Sequence, residues 1–212
     1  PGGSDKPTGG NKGSSGGSAS GVVVTDTKTV EDKKDAEFSD VPTGHWAYDA
    51  ICELYKKGII AGKGDMRFMP DEKITRAEFV KMLCILNNAE VGGAEEIFSD
   101  VSRDDWYFEY VGAGVKYGWI KGVDAEHFAP DSYISRQDIC TVLYRMGTTE
   151  KAEGAEFSDL ADISEYAKEA VMSLTAKNIL KGFPDGSFRP KESSTRAQAA
   201  TLLYGFYKLG KK

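Results

Sequence analysis

The feature that most constrains this chain is a period of about 60 residues that occurs three times, because a period of that length marks a repeated supersecondary unit. Phe38-Ser39-Asp40-Val41, Phe98-Ser99-Asp100-Val101 and Phe157-Ser158-Asp159-Leu160 open the units, with phenylalanines 60 and 59 residues apart. An aromatic follows eight residues later in the first two units, Trp46 and Trp106, and nine residues later in the third, Tyr166. Arg76, Arg136 and Arg196 each come 30 residues after that aromatic. A unit this small cannot bury its own apolar faces, so the three must share one core.

Within each unit the pattern reads helix, loop, helix. Trp46, Ala50, Ile51 and Leu54 fall on one helical face, and Gly58, Gly118 and Asn178 are residue types that accept the left-handed conformation closing a helix. Gly114, standing where the other units have Leu54 and Leu174, weakens this stripe in the second unit. An apolar pair then leads to Gly62, Gly122 or Gly182 and a loop ending in Phe68-Met69-Pro70, Phe128-Ala129-Pro130 or Phe188-Arg189-Pro190. The second helix opens on a capping box: Thr75 with Glu78, Ser135 with Asp138, Thr195 with Gln198. The expected fold is all-α (mostly helical), three helix-loop-helix repeats in a pseudo-threefold assembly around a central helical bundle.

Outside the repeats, residues 1–21 are rich in Gly and Ser with no aromatic residue, a composition too polar to offset its own ordering entropy. The organisation expected is a flexible linker over 1–35 and repeats over 36–92, 93–151 and 152–212. The chain begins at Pro1 and is read as a fragment whose leader and attached cargo domains are missing. A net charge of −6 and a pI of about 5.1 leave no basic field for nucleic acid. No apolar run is long enough for membrane insertion. Cys52, Cys84 and Cys140 lie in apolar stretches without CxxC spacing and read as buried thiols. His45 and His127 lie in different segments, so no metal site is assembled. No cofactor is indicated.

The strings FSDVPTGHWAYDAI, GIIAG and FMPDEKITRAEF, with GFPDGSFRP and STRAQ in the third unit, resemble the S-layer homology (SLH) module in all three copies, from about Ala36 to Lys212. The family's "TRAE" element falls on Thr75-Arg76-Ala77-Glu78, Ser135-Arg136-Gln137-Asp138 and Thr195-Arg196-Ala197-Gln198, a literal match only in the first. Its "DG" turn survives as Asp185-Gly186, against Asp65-Met66 and Asp124-Ala125, so the turns are expected to differ in shape. The resemblance implies an extracellular module on the wall of a Gram-positive or related bacterium, binding a secondary cell-wall polysaccharide, often pyruvylated.

Arg76, Arg136 and Arg196 are the leading site candidates. At the first helical position a cation opposes the helix dipole at a cost of about 0.3–1 kcal/mol. A guanidinium beside the free N–H groups of a helix N-terminus would form an anion receptor. The competing reading is a salt bridge to Asp71 or Asp131, which Lys191 prevents in the third unit. Trp46, Trp106 and Tyr166 could stack on sugar, although their place in an apolar stripe favours the core. Thr75, Ser135, Thr195, Glu78, Asp138 and Gln198 are accounted for by capping, with ligand contact open. Gly62, Gly122 and Gly182 let the loop bend and could let a sugar approach the backbone. Asp40, Asp100 and Asp159 read as turn or cap residues ahead of the first helix. The function expected is noncovalent anchoring through grooves between repeats, each gaining from multivalency. The alternative is a protein-interaction or S-layer self-assembly module. No nucleophile–base pair points to an enzyme.

Overall fold

The computed structural model describes residues 38–147 and 156–210. The expected linker over 1–35, and the expected boundary at 151, lie outside the described residues. Among the described residues six helices form: α1 (Tyr48–Lys56), α2 (Arg76–Leu86), α3 (Phe108–Lys116), α4 (Arg136–Arg145), α5 (Glu165–Ala176) and α6 (Arg196–Leu209), with a short 3₁₀ turn at Leu160–Asp162. The described residues hold no β-strand, only isolated bridges, so the fold is all-α. No helix among them is long and apolar enough to cross a membrane.

Helix ends follow the sequence chemistry. Gly58, Gly118 and Asn178 stop the first helix of each unit with φ of 68°, 73° and 56°. Thr75 and Thr195 build full capping boxes with Glu78 and Gln198. Asp138 is one methylene shorter, and Ser135 Oγ donates to Asp138 Oδ2 at 2.6 Å while accepting from the Asp138 N–H.

The units interleave. α3 packs on α2, α5 on α4, and α1 closes the circle on α6, so each first helix covers the second helix of the preceding unit. Near the centre the extended residues ahead of α2, α4 and α6 bond in a ring: the Ile74 N–H donates to Ser194 O, the Ile134 N–H to Ile74 O and the Ser194 N–H to Ile134 O, at 2.9–3.1 Å. This is the pseudo-threefold assembly that the period required.

The opening motif and the loop end are one device. Asp40 accepts the N–H groups of Phe68 and Met69, both at 2.8 Å; Asp100 does the same for Phe128 and Ala129, and Asp159 for Phe188 and Arg189. These aspartates therefore tie the loop end 28 to 30 residues away; of the turn or cap roles read from the sequence, they sit in turns and do not cap the first helix. The tie holds Met69, Ala129 and Arg189 at φ of 62°, 57° and 57°, a conformation costly for residues with a Cβ. Phe38, Phe98 and Phe157 pack on Phe68, Phe128 and Phe188 beneath it. The turns differ as expected: Asp65 and Met66 are both left-handed, the third unit uses Gly186 alone, and Asp124 instead accepts the Glu126 and His127 N–H groups.

Cys52, Cys84 and Cys140 are buried thiols, and burial pushes Cys84 and Cys140 up to about 12.

Candidate functional site

The three arginines sit at the first position of α2, α4 and α6, as the capping boxes dictate. Each reaches into the following unit, the third closing on the first. Arg76 Nε donates to Phe128 O at 2.8 Å and Nη2 to Lys121 O at 3.1 Å. Arg136 makes the same pair with Phe188 O and Lys181 O, and Arg196 with Phe68 O and Ala61 O, both at 2.9 Å. Each guanidinium also lies over a phenylalanine ring, Arg76 over Phe128 and Arg196 over Phe68 at 4.6 and 4.5 Å, Arg136 over Phe183 at 4.6 Å. Burial draws all three below the ordinary arginine value.

One expectation fails here. The helix N-termini are not free for an anion: the Arg76 and Ala77 N–H groups donate to Ser132 O and Pro130 O, those of Arg136 and Gln137 to Glu192 O and Pro190 O, those of Arg196 and Ala197 to Glu72 O and Pro70 O. The third orphan donor goes to the cap hydroxyl. The helix ends are saturated by the neighbouring unit's loop, whose carbonyls also hold the arginine. The arginines clasp unit to unit through main-chain oxygens, where the sequence had offered Asp71 and Asp131.

The aromatics move the other way. Trp46, Trp106 and Tyr166 are 63%, 53% and 57% exposed, against the expected core placement. Trp46 and Trp106 precede their helices, Tyr166 is the second residue of α5, and burial falls on the next residue each time, Ala47, Tyr107 and Ala167. The reading fails because the apolar stripe begins one residue later than the motif's most conspicuous ring.

Three grooves result, named here by the unit whose loop lines them. The first, about 460 Å³, gathers Gly62, Lys63, Glu78, Lys81, Trp106 and Arg196. The second, about 420 Å³, gathers Gly122, Arg76, Asp138, Arg145 and Tyr166. The third, about 710 Å³, gathers Gly182, Phe183, Arg136, Gln198, Lys208 and Trp46. Each therefore takes its glycine and capping residue from one unit, its arginine from the unit before and its aromatic from the unit after. Thr195 reaches its groove, while Thr75 and Ser135 serve their caps.

The glycines are required by crowding. A Cβ on Gly62 would stand 2.8 Å from both Arg67 O and the Phe38 ring, on Gly122 2.4 Å from Asp124 O, and on Gly182 2.8 Å from the Phe157 ring. The cations that differ between grooves were missed in the sequence. Lys81, Arg145 and Lys208 lie on the second helix beyond the cap, outside any shared motif, and only the face shared with the capping residue pointed to them. In the first groove Lys63 is bound to Glu78 at 2.8 Å, and Lys81 stands 5.4 Å above the Trp106 ring.

The model of the family described as "S-layer homology domain" matches residues 37–80, 97–140 and 156–200. The chain is 35% identical over 179 residues to an exoglucanase, XynX, of Acetivibrio thermocellus, covering 82% of this chain and 16% of that protein. It is 34% identical to an amylopullulanase of Thermoanaerobacterium thermosulfurigenes, covering 81% of this chain and 9% of that protein. It is 32% identical to the S-layer protein sap of Bacillus anthracis, covering 78% and 20%. The chain thus spans a fifth or less of each of these relatives.

Proposed function

Since the chain belongs to the S-layer homology domain family, we propose that it is a noncovalent anchoring module of the bacterial cell surface, holding a larger protein to the wall by binding an anionic secondary cell-wall polysaccharide, pyruvylated in the leading case, in the three grooves. The observation that carries this reading is that each groove pairs an exposed aromatic ring with cations beside a backbone stripped of side chain at Gly62, Gly122 or Gly182. A ring face suits the apolar face of a sugar, and local cations attract a carboxylate in a protein whose net charge is −6. The relatives support it by their nature: S-layer proteins and large polysaccharide-degrading enzymes share this segment. Catalysis then belongs to the rest of such a protein, and three weak sites on a repetitive polymer raise retention by roughly 10²–10⁴.

Substituting the clasping arginines would weaken the fold together with the site, so the informative variants are Trp46→Ala, Trp106→Ala and Tyr166→Ala. Calorimetric titration with purified wall polymer, before and after removal of pyruvate, is expected to show a stepwise loss with the number of rings removed and a loss on depyruvylation, at unchanged thermal stability in the two tryptophan variants and a modest loss in Tyr166→Ala, whose hydroxyl bonds Asp138 and Gln137. Wild-type affinity in the triple variant would sink the groove reading; binding to polymer-free surface protein alone would replace it with a protein-interaction module.

A further inference from the structure

The second groove differs from the others in one residue outside the repeated motif. Arg145 ends α4, on the face that carries Asp138 at the other end and Thr141 between, and it lines the groove with Arg76 and Tyr166. The corresponding positions are Ile85 in the first unit and Gly205 in the third. The Asp138 carboxylate acts on Arg145 through its charge, but its oxygens and the other polar groups nearby make their hydrogen bonds elsewhere. Asp138 Oδ2 takes the Ser135 hydroxyl at 2.6 Å and Oδ1 the Tyr166 hydroxyl at 2.8 Å. Thr141 Oγ1 donates to Gln137 O at 2.8 Å. Arg76 spends Nε and Nη2 on carbonyls. Arg145 is half-buried, and its guanidinium is held by no hydrogen bond among the described residues, only by the charge of Asp138 at longer range.

We infer that Arg145 binds an oxyanion on the ligand in the second groove, making this groove the one with the strictest demand for a charged substituent; the inference rests on the polysaccharide-binding reading above. A partly desolvated guanidinium without a hydrogen-bond partner is costly, and an arriving carboxylate or phosphate relieves that cost through the planar fork that favours bidentate contact. The field of the groove agrees. Burial lowers Arg145 and Arg76 alike, the Asp138 charge opposes this at both, and the charge of Arg145 adds a smaller push against Arg76 across the groove. An anion between the two guanidiniums removes that repulsion. The first groove has Ile85 at this level, and the third has Gly205, packed against Ile179.

The test uses the whole chain with defined probes: a methyl glycoside carrying a pyruvate ketal, its neutral methyl ester and a sugar phosphate. Amide chemical shifts read binding at each groove separately, through Thr141 for the second, Lys81 for the first and Lys208 for the third. Arg145→Ala is expected to weaken the ketal at the second groove about tenfold or more and leave the other grooves within twofold. Arg145→Lys, which keeps the charge and loses the fork, is expected to retain only a small part of that affinity, and the ester is expected to fail there. Ile85→Arg is expected to strengthen the anion preference of the first groove. Tighter binding of the phosphate than of the ketal assigns the oxyanion to a phosphate source and leaves the role of Arg145 intact. Second-groove affinity within twofold of wild type in Arg145→Ala overturns the inference while polymer binding elsewhere leaves the anchoring reading standing; absence of all polymer binding in the wild type removes both.

Discussion

A single aspartate in each unit sets the position of the groove-lining residues at one remove. Asp40 pins the loop end that presents Phe68 O to Arg196 and Pro70 O to the Ala197 N–H. Burial raises its carboxyl, but hydrogen bonds from Phe68 and Met69 outweigh this and hold it below its ordinary 3.8. A folded-state value below the unfolded one means that the stabilisation is complete above the unfolded value and is lost as pH falls through the folded value. Asp40→Asn is therefore expected to cost about 1–2 kcal/mol at neutral pH and to flatten the loss of stability below about pH 5; urea titrations across pH read both, and parallel acid limbs in variant and wild type would exclude the assignment. Residue types and positions were legible in the sequence because the period exposed them. Directions were not: the arginine at a helix start looks identical whether its fork meets ligand or a carbonyl of the next unit, and Trp46 looks like core until the helix is seen to begin after it.

Among the elements, capping chemistry predicted where α2, α4 and α6 begin, since Thr75, Ser135 and Thr195 leave little choice, and glycine or asparagine fixed the ends of α1, α3 and α5. Partner choice was hidden. Sequence proximity suggests that α1 packs on α2, yet α1 packs on α6 and α2 receives α3, because the apolar stripe of a helix specifies that it is covered and not by which neighbour. The central ring of extended residues carries one local departure. Ile74 and Ile134 are matched by Ser194, fully buried, whose hydroxyl has no hydrogen-bond partner among the described residues. An unsatisfied buried hydroxyl is unfavourable, and the neighbouring positions show that an aliphatic side chain fits an extended segment here. Ser194→Val is expected to raise the unfolding free energy by about 1 kcal/mol, seen as a higher denaturation midpoint at constant m-value; a lower midpoint would mean the ring has no room for a second methyl group at this corner.

At the scale of the molecule, the same three units could have formed an open line or a closed ring, and the two respond differently to loss of a terminal repeat. In a line, each repeat contacts only its neighbours in sequence, and the remaining two stay folded after the third is removed. Here α6 covers α1 and touches α2 and α4, Arg196 reaches back to Phe68 O and Ala61 O, and Phe188 O receives Arg136. Deleting residues 156–212 would take Arg196 from the first groove, Tyr166 from the second and most of the third. It would also uncover α1 and α4 together and leave buried donors and acceptors unpaired at both breaks. The truncated chain is accordingly expected to lose its cooperative thermal transition, or to self-associate so that another copy supplies the missing faces, with polymer binding lost in its monomeric form. Adding residues 156–212 as a separate chain is expected to restore a cooperative transition in a one-to-one complex. Circular dichroism melts and sedimentation velocity distinguish these cases: a monomeric two-repeat fragment that melts cooperatively and still binds polymer would show that the ring is dispensable and that each groove works with two units.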